Sequence, residues 1–90
     1  VINMSLGGGY SDIEKQAVEY AAKKWVIMVV AAGNESEDAS YTYPCSFKET
    51  ICVWAINQDW KRAFFSNYGP TVDVAAPWVN IYSTKPNNTY

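Results

Sequence analysis

The stretch Val26-Ile27-Met28-Val29-Val30-Ala31-Ala32-Gly33-Asn34-Glu35 decides how this chain is read. Val26 to Ala31 is an unbroken, mostly β-branched apolar run. That is the pattern of a strand buried on both faces of a parallel sheet. Gly33 then lets the chain leave the sheet in a conformation other residues resist. Asn34 falls just beyond the carboxyl end of the strand, where open α/β sheets keep their ligands. A carboxamide there can donate a hydrogen bond into a cleft.

Upstream of this run, Val1 to Ser5 reads as a short strand, and Leu6-Gly7-Gly8-Gly9-Tyr10 as a loop. Ser11 and Glu14 have capping-box spacing, and Ile13, Ala17 and Ala21, with Val18 and Ala22 beside them, recur at helical spacing. The spacing predicts a helix from Ser11 to about Lys24, with Trp25 opening the next strand. Strand, helix and strand make a βαβ unit with parallel strands. Downstream, Glu35 to Ser40 is a polar, acidic surface loop, and Tyr43-Pro44 is a pair able to hold a cis bond. Ile51 to Ile56 is a third buried strand. Asn57 to Lys61 and Ser66 to Pro70 read as turns, and Val72 to Ala75 and Asn80 to Ser83 as short strands separated by Pro77. Tyr10, Trp25 and Trp60 read as packing residues.

The chain has 90 residues, enough for one small domain that can bury roughly 60% of its unfolded surface. Four Trp and seven Tyr are a heavy aromatic load for so thin a core, so some should face a partner or further chain. The net charge is −2 and the basic residues are scattered, which argues against nucleic acid as a partner. No apolar run approaches the ~20 residues of a membrane span, so no membrane is expected as a partner either. The amino terminus, Val-Ile-Asn-Met-Ser, reads as an internal strand.

Histidine is absent, which excludes Ser-His, Cys-His or His-metal chemistry carried by this chain alone. The spacing of Cys45 and Cys52 matches no common zinc or redox motif, and leaves a disulfide and two free thiols equally open. Gly7-Gly8-Gly9 before a helix would suit a phosphate, but the G-x-G-x-x-G fingerprint fails because position 12 is Asp. Of the glycosylation sequons at Asn3, Asn34 and Asn87, only Asn87 lies where a glycan would do no harm.

Three blocks then occur in order: Val1-Ile-Asn-Met-Ser-Leu-Gly-Gly8; Val29-Val-Ala-Ala-Gly-Asn34; and Arg62-Ala-Phe-Phe-Ser-Asn-Tyr-Gly-Pro70, with Val72 to Pro77 and Ile81 to Thr84 behind it. From end to end the chain resembles the subtilisin family of serine endopeptidases, with a loop from Asn34 to Pro44 of the length seen in the proteinase K branch. The resemblance implies an α/β fold: the central part of a three-layer parallel-sheet domain, with a βαβ unit, further strands and a β-rich carboxyl part. It implies an internal segment of the catalytic domain, after the Asp and His of the triad and before the block carrying the nucleophilic Ser. It implies a secreted parent acting on peptides or proteins, with the remainder of the catalytic domain as partner. The isolated chain is expected to be inactive.

By the same resemblance Asn34 is the asparagine that donates to the tetrahedral oxyanion. Ser5, Leu6, Gly7 and Gly8 form one substrate-binding wall, and Ala31, Ala32 and Gly33 the opposite one. Thr42 falls near the pocket floor and Glu35 near its rim. Asp73 matches an aspartate that in some members binds calcium with backbone oxygens, here those of Lys48 and Thr50; no other cofactor is implied. Trp54 and Trp78 depart from the family pattern, standing where relatives usually have glycine, and imply local repacking or a divergent member. Two readings from other classes stand beside this one. A stand-alone α/β module or pseudoenzyme would bind peptides without cleaving them, and a domain built on the Gly7 loop would bind phosphate.

Overall fold

The computed structural model describes residues 1–90. Four strands, β1 (Ile2–Met4), β2 (Met28–Ala31), β3 (Ile51–Ile56) and β4 (Val74–Pro77), form one sheet in the order β1-β2-β3-β4. All three pairings are parallel, with Met4 beside Val30, Val30 beside Cys52, and Trp54 beside Ala75. The βαβ unit is formed as the sequence predicts, through helix α1 (Asp12–Lys23) between β1 and β2. The 3₁₀ turn η1 (Ala39–Tyr41) interrupts the long connection from β2 to β3.

Helix α1 begins where the capping pattern places it, with Ser11 extended and its Oγ accepting from the Glu14 N–H at 3.3 Å. Its inward face is shifted from the expected stripe: Val18, Ala21 and Ala22 pack towards Met28 and Met4, whereas Ile13 and Ala17 are exposed. The helix ends at Lys23, one residue from the predicted end. Trp25 takes φ 61°, the Trp25 N–H donates to Ala22 O at 3.0 Å and the Val26 N–H to Ala21 O at 3.1 Å. This is a Schellman cap with tryptophan in the left-handed position that glycine usually fills. Trp25 therefore does not open β2, which starts three residues later, and it is 93% exposed. Trp60, at φ 62° in the turn after β3, is also exposed; neither tryptophan packs within the chain. Tyr10 does pack, edge-on against Tyr43 and Phe47 with centroids 5.2 and 6.2 Å away.

The expectation of a strand buried on both faces is corrected by β2 itself. Met28 and Val30 are buried, whereas Val29 and Ala31 are only half-buried. In β3 the buried residues are Cys52 and Ile56, and Val53 and Ala55 are half-buried. One sheet face is covered by α1 and by the segment from Ala39 to Phe47, which join it in two small clusters around Val30–Cys45–Cys52 and Val18–Met28–Phe47. The opposite face has no covering layer within these residues. Cys45 and Cys52 are joined in a disulfide inside the first cluster, and the Tyr43–Pro44 bond is cis.

Towards the carboxyl end, β4 begins two residues after the predicted start and runs through Pro77. Proline is tolerated there because β4 is an edge strand. Asn80 to Ser83 forms no strand; Asn80 sits in a turn at φ 57° and the residues after it are exposed. The parallel α/β expectation holds, with two of the three layers present in this chain.

Candidate functional site

The carboxyl ends of β1 and β2 open onto a groove of about 710 Å³. Ser5, Leu6, Gly7 and Gly8 line it from the β1 side. Ala31, Ala32, Gly33, Asn34 and Glu35 line it from the end of β2, and Thr42, which is buried, closes it between them. All ten residues picked out in the sequence for the substrate site therefore meet in one cavity. Residues about 25 to 35 positions apart in the chain come together because β1 and β2 are parallel neighbours whose ends lie on the same side of the sheet.

Backbone pairing sets the walls. Gly8 and Tyr43 exchange two hydrogen bonds of 2.9 Å, strapping the glycine loop to the segment that carries Thr42. A Cβ on Gly7 would lie 3.1 Å from Thr42 Cγ2, so that approach leaves little room for a side chain. The Tyr10 hydroxyl donates to Asp12 Oδ1 at 2.8 Å, and this bond, followed by partial burial and the Asp12 charge, raises the phenol above its ordinary range.

Asn34 sits on a turn built from side chains as much as from backbone. Gly33 has φ 104°, a conformation that side-chain-bearing residues rarely adopt. The Asn34 N–H donates to Glu35 Oε2 at 2.8 Å, while the Asn34 side chain is exposed in the groove. Glu35 does line the rim, but Oε2 also accepts from Asn67 Nδ2 at 2.8 Å. That carboxylate oxygen is thus committed to holding the turn. Further along, Asp38 caps η1, accepting from the Ser40 N–H at 2.8 Å. The Ser40 hydroxyl and then its N–H keep the Asp38 carboxyl below the ordinary carboxylate range.

Asn67 was read in the sequence as one residue of a surface turn, yet it is fully buried. Its loop is held by Arg62, whose guanidinium donates to Ser66 O and lies 4.9 Å from the Tyr68 ring. The loop pairs with the Asn34 turn: the Ser36 N–H donates to Phe65 O at 2.9 Å and the Tyr68 N–H to Glu37 O at 3.0 Å. The only hint in the sequence was an uncharged polar residue between two aromatics, Phe65 and Tyr68, a pattern shared by many exposed turns. Trp54 and Trp78 also line the groove.

Asp73 lies beside the start of β3, its Oδ2 accepting from the Cys52 N–H at 2.7 Å, while its own N–H donates to Cys52 O at 2.9 Å. This places the carboxylate next to the chain segment that carries Lys48 and Thr50. The donors are hard oxygens suited to calcium, but one carboxylate oxygen is already shared with an amide and no cluster of three acidic ligands surrounds it. A cation there would rest on this single carboxylate and backbone oxygens.

A parallel sheet whose strand ends frame a glycine-walled groove, with an exposed carboxamide at one lip, defines an α/β protein with its cleft at the carboxyl ends of the strands. The model of the subtilase family matches residues 1–90, and the chain belongs to that family. It is 55% identical over 82 residues to alkaline protease 1 of Aspergillus flavus, covering 91% of this chain and 20% of that protein. It is 47% identical over 87 residues to subtilisin-like protease 1 of Arthroderma otae, covering 96% and 18%. A crystal structure of a cold-adapted subtilisin-like serine proteinase superposes with a TM-score of 0.80 at 40% identity, over 83% of this chain and 28% of that one. A protease from Pseudoalteromonas arctica gives a TM-score of 0.81 at 37% identity, over 84% and 23%. The chain spans about a fifth of the length of the curated relatives it matches.

Proposed function

We propose that these residues are an internal part of the catalytic domain of a secreted serine endopeptidase, supplying its substrate-side half. The observation that carries this reading is the meeting in one groove of the ten residues that the resemblance assigns to the substrate site, with the Asn34 side chain exposed at its lip. An acyl-transfer site needs a fixed donor near the oxygen that becomes negative in the transition state. A turn rooted on a buried strand and tied by side-chain hydrogen bonds provides that rigidity. A peptide substrate would lie extended between the Ser5–Gly8 wall and the Ala31–Gly33 wall, with one side chain directed towards Thr42. The open space above Gly8 and Gly9 is what such a chain requires.

In this reading the nucleophilic Ser, the His and the Asp of the triad come from the rest of the polypeptide, since this chain has no histidine at all. The same polypeptide would cover the open sheet face along Val29, Val53 and Val74, which accounts for the half-buried pattern of β2 and β3. The isolated chain is then inactive. Calcium, where bound, would be held by the Asp73 carboxylate with the Lys48 and Thr50 carbonyl oxygens.

The test is peptide hydrolysis by the full-length protein and its Asn34→Ala variant. Subtilisin is the reference case for loss of an oxyanion donor, and its magnitude, roughly 10²–10³ in kcat, is carried over to this prediction. Wild-type turnover with an unchanged kcat in Asn34→Ala would remove Asn34 from the site. A full-length protein that binds extended peptides without cleaving them would instead identify a peptide-binding pseudoenzyme.

A further inference from the structure

Asn34 is held on both sides by a single residue that no part of the proposed chemistry uses, through its backbone before Asn34 and its side chain after it. The Asn67 N–H donates to Gly33 O at 3.0 Å, and Asn67 Oδ1 accepts from the Glu35 N–H at 3.0 Å. These are the residues immediately before and after Asn34. Oδ1 also accepts from the Glu37 N–H at 3.1 Å. On its other face Nδ2 directs its two hydrogens at Glu35 Oε2, 2.8 Å away, and Ala32 O, 3.0 Å away, with Thr42 Oγ1 at 3.3 Å as a weaker, shared acceptor. Every polar atom of a fully buried carboxamide is thus spent on the turn that presents Asn34 or on the groove floor. A structural asparagine needs only to satisfy itself. This one reproduces, for a stretch with φ 104° at Gly33 and no regular secondary structure, the constraints that a strand or helix would impose.

We propose that Asn67 is a positioning residue for the oxyanion donor, setting where the Asn34 carboxamide points and joining it mechanically to Thr42. The inference rests on the reading of Asn34 as that donor. Its physical basis is the steep dependence of transition-state stabilisation on donor placement, where a displacement on the order of 1 Å lowers rate about 10²-fold. Replacing Asn67 by Ala would keep the backbone bond to Gly33 O but remove the donor to Ala32 O, leave the Glu35 and Glu37 N–H groups without their acceptor, and release Glu35 Oε2 from one of its two donors. The Asn34 turn would then sample several orientations, of which one is productive. Substrate still binds along the Ser5–Gly8 wall, so KM is affected less than kcat.

The experiment is a double-mutant cycle in the full-length protein, with kcat normalised to the concentration of titratable active sites. Asn67→Ala is expected to lower kcat about 10- to 100-fold with a smaller change in KM. In the Asn34→Ala background the same substitution is expected to change kcat by less than about threefold, because the group it positions is gone. Equal losses in both backgrounds, or no loss in either, overturn the role of Asn67 while leaving Asn34 in place. No loss on Asn34→Ala alone overturns the reading of Asn34 and this inference with it. If Asn67→Ala does not fold, Asn67→Asp combined with Glu35→Gln enters the cycle instead; it keeps an acceptor for the Glu35 and Glu37 N–H groups and reverses the donor across the Glu35 contact. The carboxylate of Asn67→Asp cannot donate to Ala32 O, so a loss that disappears without Asn34 supports the inference; a loss that persists without Asn34, or no loss in either background, overturns it.

Discussion

Replacing Gly33 by Ala tests the geometry of the turn more directly than any change to a side chain. At φ 104° an alanine lies outside the regions L-residues occupy, which costs about 1–3 kcal/mol. The added Cβ would also meet Asn67 Nδ2 at a distance no real pair of atoms adopts, and Glu35 Oε2 at 2.6 Å. Both must move, and they are the two ends of the hydrogen bond that closes the turn. Losing that bond and weakening the Asn34 N–H to Glu35 contact adds about 1–2 kcal/mol, the lower end of the range for charged partners because Glu35 is solvent-exposed. The whole effect is therefore roughly 2–5 kcal/mol. Gly9 is the control: it lines the same groove, nothing lies within 4 Å of an added Cβ, and its φ is outside the left-handed region. Gly9→Ala should leave stability unchanged or raise it by up to about 1 kcal/mol through the unfolded chain. Urea unfolding of the full-length protein, blocked with an active-site inhibitor, reads both. Gly33→Ala should lower the midpoint on the order of 1 M at an unchanged slope. A Gly33→Ala midpoint equal to that of Gly9→Ala would refute the argument.

Other consequences can be checked in the same protein. Trp25→Gly should raise stability by about 1 kcal/mol, since the exposed tryptophan occupies a left-handed Schellman position that glycine fills without strain; thermal unfolding would show it. Replacing Cys45 and Cys52 together by Ala should lower stability by about 2–3 kcal/mol, the loop entropy expected for a sequence separation of 7; a denaturation curve with no shift would contradict it. The Asp38 carboxyl is depressed by Ser40, so its contribution is present above the unfolded carboxylate value and is lost as pH falls through the lower folded value. The destabilisation caused by Asp38→Asn should accordingly shrink towards zero in acid, as measured by unfolding across pH. Added calcium should raise the thermal midpoint of the wild-type protein, whereas Asp73→Asn, which keeps an acceptor for the Cys52 N–H, should abolish the response.

The alternation along β2 shows where sequence and tertiary structure divide. Composition and periodicity alone gave a parallel α/β unit, because an unbroken apolar run and a capped helix are local patterns written in adjacent residues. The three family blocks supplied the groove, since Ser5–Gly8 and Ala31–Glu35 sit at ends of strands that parallel pairing must bring together. What stayed hidden depends on which residues cover which face. Val29 and Ala31 looked as buried as Met28 and Val30, and only the absence of a second covering layer among these residues separates them. Trp25 looked like the start of a strand, until the helix end claimed its backbone for a cap. Glu35 looked like a charge free to choose substrates, and the turn commits one of its carboxylate oxygens to Asn34 and Asn67. Asn67 is the sharpest case. Thirty-three residues separate it from Asn34, and its sequence neighbourhood is that of an ordinary turn. Sequence determined that a carboxamide stands at the end of a buried strand; only tertiary structure decided that a second, buried carboxamide holds it there, because hydrogen bonds across such a separation leave no local pattern to read.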